Sequence, residues 1–248
     1  MAATLVQSTA LGSNVSSGAN VASTVTLTLS SVVAGYLLVV AAIANDSQRI
    51  AQHNASGIGV SDSGANTWAM AVSDSNLNIA SLWYAVAKAS GTVTITVTAQ
   101  TLYIASTLTC GASAWRGVSG SGTLLGTGSQ SVSSSTSLTT TATASVPAGS
   151  LVLGVYGYKG QLAGTASASD GKTALQNNTP NAANTNALFT DYLLGSASGP
   201  QTAAFSETVA PATADGLVAA FAVASGGAVV TPRPIRHSGL SPLQSAYR

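Results

Sequence analysis

Along residues 21–29 apolar and polar positions alternate: Val25, Leu27 and Leu29 are separated by Thr24, Thr26 and Thr28. A period of two places successive side chains on opposite faces, so the stretch predicts a half-buried strand. Residues 91–98 (GTVTITVT) repeat the pattern with Val93, Ile95 and Val97 on one face. Between them the run at 36–43 (YLLVVAAI) has no polar break except the tyrosine hydroxyl. It is far shorter than the roughly 20 residues of a membrane helix and reads as a buried strand. Further strands are predicted at 67–72, 79–86 and 105–115, with turn chemistry at Ser61-Asp62-Ser63-Gly64 where the chain reverses. No segment sustains a 3.6-residue apolar period. The expected fold is therefore all-β, an antiparallel β-sandwich of jelly-roll type. Val25, Leu27, Leu29, Leu37, Val39, Trp83, Val93, Ile95, Val97 and Val218 are expected in its core.

The order of signals then recurs. Val33-Ala34-Gly35-Tyr36-Leu37 returns as Pro147-Ala148-Gly149-Ser150-Leu151, and Ser61-Asp62-Ser63-Gly64 is echoed by Ser169-Asp170-Gly171. Trp83-Tyr84 with Gly91 matches Asp191-Tyr192 with Gly199, and Ala112-Ser113-Ala114-Trp115 matches Val218-Ala219-Ala220-Phe221. An internal duplication accounts for this shared order more simply than chance. The chain divides on this reading into an N-terminal extension (1–20), a first β-sandwich unit (21–120), a Gly/Ser/Thr-rich linker or loop (121–137), a second unit (138–225) and a C-terminal arm (226–248). The arm holds Pro232, Pro234 and Pro242 and no acid, together with Arg233, Arg236 and Arg248. Prolines remove ladder donors, so the arm is expected to leave the sandwich extended. Pro232, Arg233, Pro234, Arg236, His237 and Arg248 are its candidate partner-binding residues. Arginine forks pair with carboxylates or carbonyls at interfaces, and proline lowers the entropy lost on docking.

Composition narrows the function. Charged residues make up 6% of the chain, against about 25% in an ordinary soluble domain. Ser, Thr, Asn and Gly must therefore carry the solvated surface, and little repulsion keeps copies apart, which suits a component of an assembly. The net charge is +1 and the basic residues outside the arm are scattered singly. No stripe could neutralise several phosphates, so no nucleic-acid partner is expected. No membrane partner is expected either. The first residues lack the basic and continuous apolar regions of a secretory signal. Cys110 is the single cysteine, so no intrachain disulfide staples the fold, and assembly in a reducing cytoplasm is permitted.

Candidate chemistry is sparse. His53 and His237 stand in no local pattern with a nucleophile or metal ligand, and the seven acids (Asp46, Asp62, Asp74, Asp170, Asp191, Glu207 and Asp215) are isolated in sequence. Acid/base or glycosidase chemistry would need a convergent pair. Asp62-Ser63-Gly64-Ala65-Asn66 has oxygens at alternate positions but lacks the further acids of a calcium loop. The glycines at Gly57, Gly59, Gly126 and Gly128 complete no phosphate-binding fingerprint. Trp68, Trp83 and Trp115 could stack on sugars but sit in apolar strand patterns, which favours core packing. No catalytic residue, cofactor or metal is expected, and the chain is not expected to be an enzyme.

The strings VSDSGANTWAMAVS, SLWYAVAKASGTVTITVTA and ASAWRGVSG resemble a β-sandwich pattern that recurs in tailed-phage structural proteins and in bacterial surface modules. The first half carries all its hallmarks; the second keeps their order with Lys172-Thr173-Ala174 in place of Asn66-Thr67-Trp68. Within that group the chain is most similar to phage capsid cement (decoration) proteins. The resemblance implies a virion protein, assembled in the host cytoplasm, that binds the outer capsid surface. It would bridge capsomers of the major capsid protein, as a homo-oligomer with a trimer favoured. The alternative it leaves open is a glycan- or host-binding module of a phage fibre or bacterial surface protein.

Overall fold

A computed structural model of the chain describes residues 2–15, 23–46, 57–74, 79–99, 106–119, 123–159, 165–177 and 186–224. Among these the structure is all-β, and every strand pair is antiparallel. The strands are β1 (Thr4–Ser8), β2 (Gly12–Val15), β3 (Ser23–Val32), β4 (Leu37–Asp46), β5 (Ile58–Asp62), β6 (Ala69–Asp74), β7 (Ile79–Val86), β8 (Gly91–Ala99) and β9 (Ser106–Arg116). They continue as β10 (Leu124–Ser133), β11 (Ser137–Thr139), β12 (Leu151–Lys159), β13 (Ala166–Ala168), β14 (Thr173–Asn177), β15 (Asn186–Leu193), β16 (Ala204–Glu207) and β17 (Thr213–Phe221).

The first half forms a large sheet in the order β1-β9-β4-β7-β6, with β2 also on β9, and a three-stranded sheet β3-β8-β5. The second half forms β10-β17-β12-β15-β14 and β11-β16-β13, the same order strand for strand. Two predicted segments differ from the sequence reading. The stretch read as a linker contains β10, a ten-residue strand at the edge of its sheet. Its alternation was hidden because Gly126, Gly128, Ser129, Ser131 and Ser133 pair with β17 without offering apolar side chains. The N-terminal extension likewise contributes β1 and β2 to the first large sheet.

The four sheets stack as layers around three cores. The first core lies between β3-β8-β5 and the first large sheet, where Val25, Leu27, Leu29, Val93, Ile95 and Val97 meet Leu38, Val40, Ala42, Cys110 and Ala112. The second joins the two large sheets: Leu37, Val39, Ala41 and Ile43 pack with Leu151, Leu153, Val155, Leu217 and Phe221. The third lies between the second large sheet and β11-β16-β13, around Val152, Tyr156, Tyr158, Phe189, Phe205 and Val218. This stacking explains the two kinds of strand. β3 is covered on one side and alternates; β4 and β12 are covered on both and read as continuous apolar runs.

Two details tie the halves together. Past β9 and β17 the chain segments bridge each other, with Val118 opposite Val223 and reciprocal bonds Ser119 N–H to Ala222 O and Ala224 N–H to Gly117 O, both 2.9 Å. The two bonds exchange under a shift of 105 positions, so the bridge has the form of a local twofold between the halves. The turns entering β4 and β12 also match: Gly35 and Gly149 have φ of 87° and 88°, a backbone that glycine adopts without strain. Of the residues expected in the core, Trp83 departs from expectation. It is only half-buried, packing against the first core from its margin near the edge strand β6.

Candidate functional site

The arm residues Pro232, Arg233, Pro234, Arg236, His237 and Arg248 lie outside the described residues, as does His53. The polar chemistry that the structure does describe is concentrated in the two turns leading into β6 and β14 and in the cores beneath them.

In the first turn Asp62 is a hub. Its Oδ1 accepts the N–H groups of Gly64 (2.8 Å) and Asn66 (3.2 Å); its Oδ2 accepts Asn66 Nδ2 (2.9 Å) and the Trp68 indole Nε1 (2.7 Å). Asn66 Oδ1 in turn accepts the Lys88 N–H, and Lys88 Nζ donates to Ala65 O. An aspartate two residues before a glycine folds this way because its short carboxylate reaches the amides just ahead of it. With four donors on two oxygens, the carboxylate is occupied by its own loop. That accounts for the partial calcium-loop pattern as a turn.

In the second turn Asp170 accepts the Ala204 N–H (2.9 Å) and forms an ion pair with Lys172. The Lys172 side chain is only 5% exposed, and its Nζ also donates to Thr202 O at 2.7 Å. Asp191, on β15, is fully buried within reach of this lysine's charge. Neither of its carboxyl oxygens has a hydrogen-bond partner. Burial pushes its carboxyl up to about 7; Lys172 opposes the shift, Asp170 adds to it, and the nearby Gly154 N–H offsets a little. Acids isolated in sequence are thus brought together, Asp170 and Asp191 about one lysine. The constellation is closed over by β14 and β16, so it reads as an internal polar cluster. Its sequence signal was Gly154: a side chain there would overlap Asp191 Oδ1, and a glycine inside a strand marks a close approach.

A second buried acid lies in the same core. Glu207 is 5% exposed; its Oε1 accepts the Thr208 N–H at 3.2 Å and its Oε2 has no partner. Burial raises it above the usual carboxylate range, and its charge helps burial raise Tyr156 and push Tyr158 up to about 12. Between the large sheets two buried side-chain amides donate from one half to the other. Gln176 Nε2 donates to Thr9 O at 2.7 Å and Asn186 Nδ2 to Thr107 O at 2.9 Å. Gly111 leaves the room that the Gln176 amide fills.

The three tryptophans separate. Trp115 is fully buried in the second core, edge-on to Tyr192 at 5.1 Å, with Nε1 donating to Ser113 Oγ. Trp68 and Trp83 are half-buried against the first core, their indole N–H groups bound to Asp62 and Ser81. They form no shared ring contact. Among the described residues no group of three or more His, Cys, Asp and Glu could hold a metal ion. No protein family, curated protein or solved structure matches the chain.

Proposed function

We propose that this protein is a structural component of a phage virion, a capsid cement protein that binds the outer surface of the head and bridges capsomers. The observation that carries the reading is a charged fraction of 6% on a chain whose outer sheet carries hydroxyls. Thr24, Thr26 and Thr28 stand opposite Thr98, Thr96 and Thr94 on the solvent side of β3 and β8. Such a surface costs less to desolvate against a partner than a charged one and offers little repulsion between copies. On this reading the chain also comprises two copies of one jelly-roll unit, which the shared strand order supports.

The arm at 226–248 would extend the contact to a neighbouring copy or to the major capsid protein. Binding only the assembled shell, the protein would stabilise it by mass action. A cryo-EM map of the virion that carries the protein tests this reading: the four-layer body should sit on the outer face of the head at local symmetry axes. Its absence from the head, with binding on a glycan array, would move the protein to a host-binding role.

A further inference from the structure

We propose that the sandwich closed by β11, β13 and β16 is held shut by protons: Asp191 and Glu207 stand in its interior with carboxyl oxygens that have no partner, so closure favours their protonated forms. Losing those protons loosens the three-stranded sheet from the large sheet beneath it, while the sandwich of β3, β5 and β8 stays closed.

The geometry is specific to this half. Asp191 projects from β15 toward the third core, pressed against the bare backbone of Gly154 on β12, and both its oxygens lack partners. The ammonium that could neutralise it, Lys172, is committed to Asp170 and Thr202 O. Glu207 ends β16 with one oxygen unpaired beside Tyr156 and Tyr158, and the Tyr158 hydroxyl also lacks a partner. No other described titratable side chain on the packed elements reaches this core. β11 and β13 have none; Tyr192 on β15 faces the second core, and Asp215 on β17 accepts Ser131 Oγ. At the margin of the first core the acid is Asp62, which is half-buried and has both oxygens occupied by four donors.

An unpaired carboxylate is far costlier to bury than its protonated form, so closure and proton binding are linked. For Asp191 the unfolded chain ionises near pH 4 and the closed form near 7. The closed form therefore binds the extra proton between those values. Its stability is fully present below about pH 4, falls as pH rises to about 7, and is flat above.

Hydrogen exchange of the full chain, read by mass spectrometry at pH 5, 6, 7 and 8 and corrected for intrinsic rates, tests this. Opening in peptides covering β11 and β16 should rise at least about tenfold from pH 5 to 8, since one unit of pKa is tenfold. Peptides covering β3 and β8 should stay within about twofold. The double variant Asp191→Asn, Glu207→Gln should remove the pH dependence. A flat response in β11 and β16, an equal rise in both sandwiches, or a double variant that opens like the parent would overturn the proposal. Should the variant not fold, carbon-13 titration of the parent's carboxyls decides: a midpoint for Asp191 near 4 overturns it, and one well above that upholds it.

Discussion

The two turns before β6 and β14 occupy matching places and solve the same problem with opposite chemistry. Ala69 pairs with Tyr84 and Thr173 with Tyr192, so Trp68 and Lys172, each just before its strand, are counterparts. One position on, Met70 faces Trp83 and Ala174 faces Asp191, making Trp83 and Asp191 counterparts as well. Where the first half lays two indoles against an apolar core and binds one to Asp62, the second buries a lysine that pairs with Asp170 and acts on Asp191 through its charge. The strand order survives this exchange. It is set by which faces are apolar, and the identity of the side chains at the sandwich margin decides stability and its pH dependence instead.

The largest effects should come from the core that belongs to neither half alone. Phe221→Ala and Trp115→Ala, both fully buried, are expected to cost about 3–5 kcal/mol each in denaturant unfolding. Trp83→Ala, at the margin, should cost about half as much. A Trp83→Ala loss equal to that of Trp115→Ala would mean that the margin is as tightly packed as the centre.

Next come the turns. Asp62→Ala strips four donors of their acceptor, including the Trp68 indole, and is expected to cost about 2–3 kcal/mol, since bonds to a charged acceptor are stronger than neutral ones. Lys172→Met removes one partner of a largely buried ion pair and leaves Asp170 uncompensated, so it is expected to cost about 3 kcal/mol at neutral pH. A loss below about 1 kcal/mol would show that solvent screens Asp170 once the lysine is gone.

The same variant sharpens the electrostatic contrast. Lys172 holds the Asp191 carboxyl below where burial alone would put it. Its removal should therefore raise the Asp191 titration midpoint, seen by carbon-13 NMR, and move the fall in stability to higher pH. A midpoint that did not move would show that the lysine charge is screened from Asp191.

The smallest effect concerns Cys110, buried in the first core with its thiol pushed up to about 12 by burial. The thiolate is the reactive form. Alkylation at pH 8 should accordingly proceed only through opening of the first sandwich, at the rate of exchange in β8. Rapid labelling of the folded chain would contradict the closure of that half.

Much of the fold was legible in the sequence because its causes are local. Threonine alternating with Val, Leu and Ile over β3 and β8 specifies a strand and the face it buries, whatever it packs against. The recurrence of Val33-Ala34-Gly35 as Pro147-Ala148-Gly149 marked the same turn twice, since only a glycine sits easily at that φ. β10 was hidden because an edge strand of glycine and serine has no apolar period; its place comes from the ladder that β17 extends to it. The polar cluster was hidden for a different reason. Asp170 and Lys172 are near neighbours, but Asp191 reaches them only because β14 lies beside β15, and residue spacing carries no trace of that pairing.

By itself, then, the sequence determined that the chain is all-β and fixed the alternating strands β3 and β8 with the faces they bury, because period and turn chemistry act over a few residues. Only the tertiary structure decided that the continuous apolar runs of β4 and β12 face each other across one shared core. An apolar run demands cover on both sides, but the hydrophobic effect is not directional, so it names no partner. The partner comes from the sheets that remain unpaired once each three-stranded sheet has covered one face of its own half.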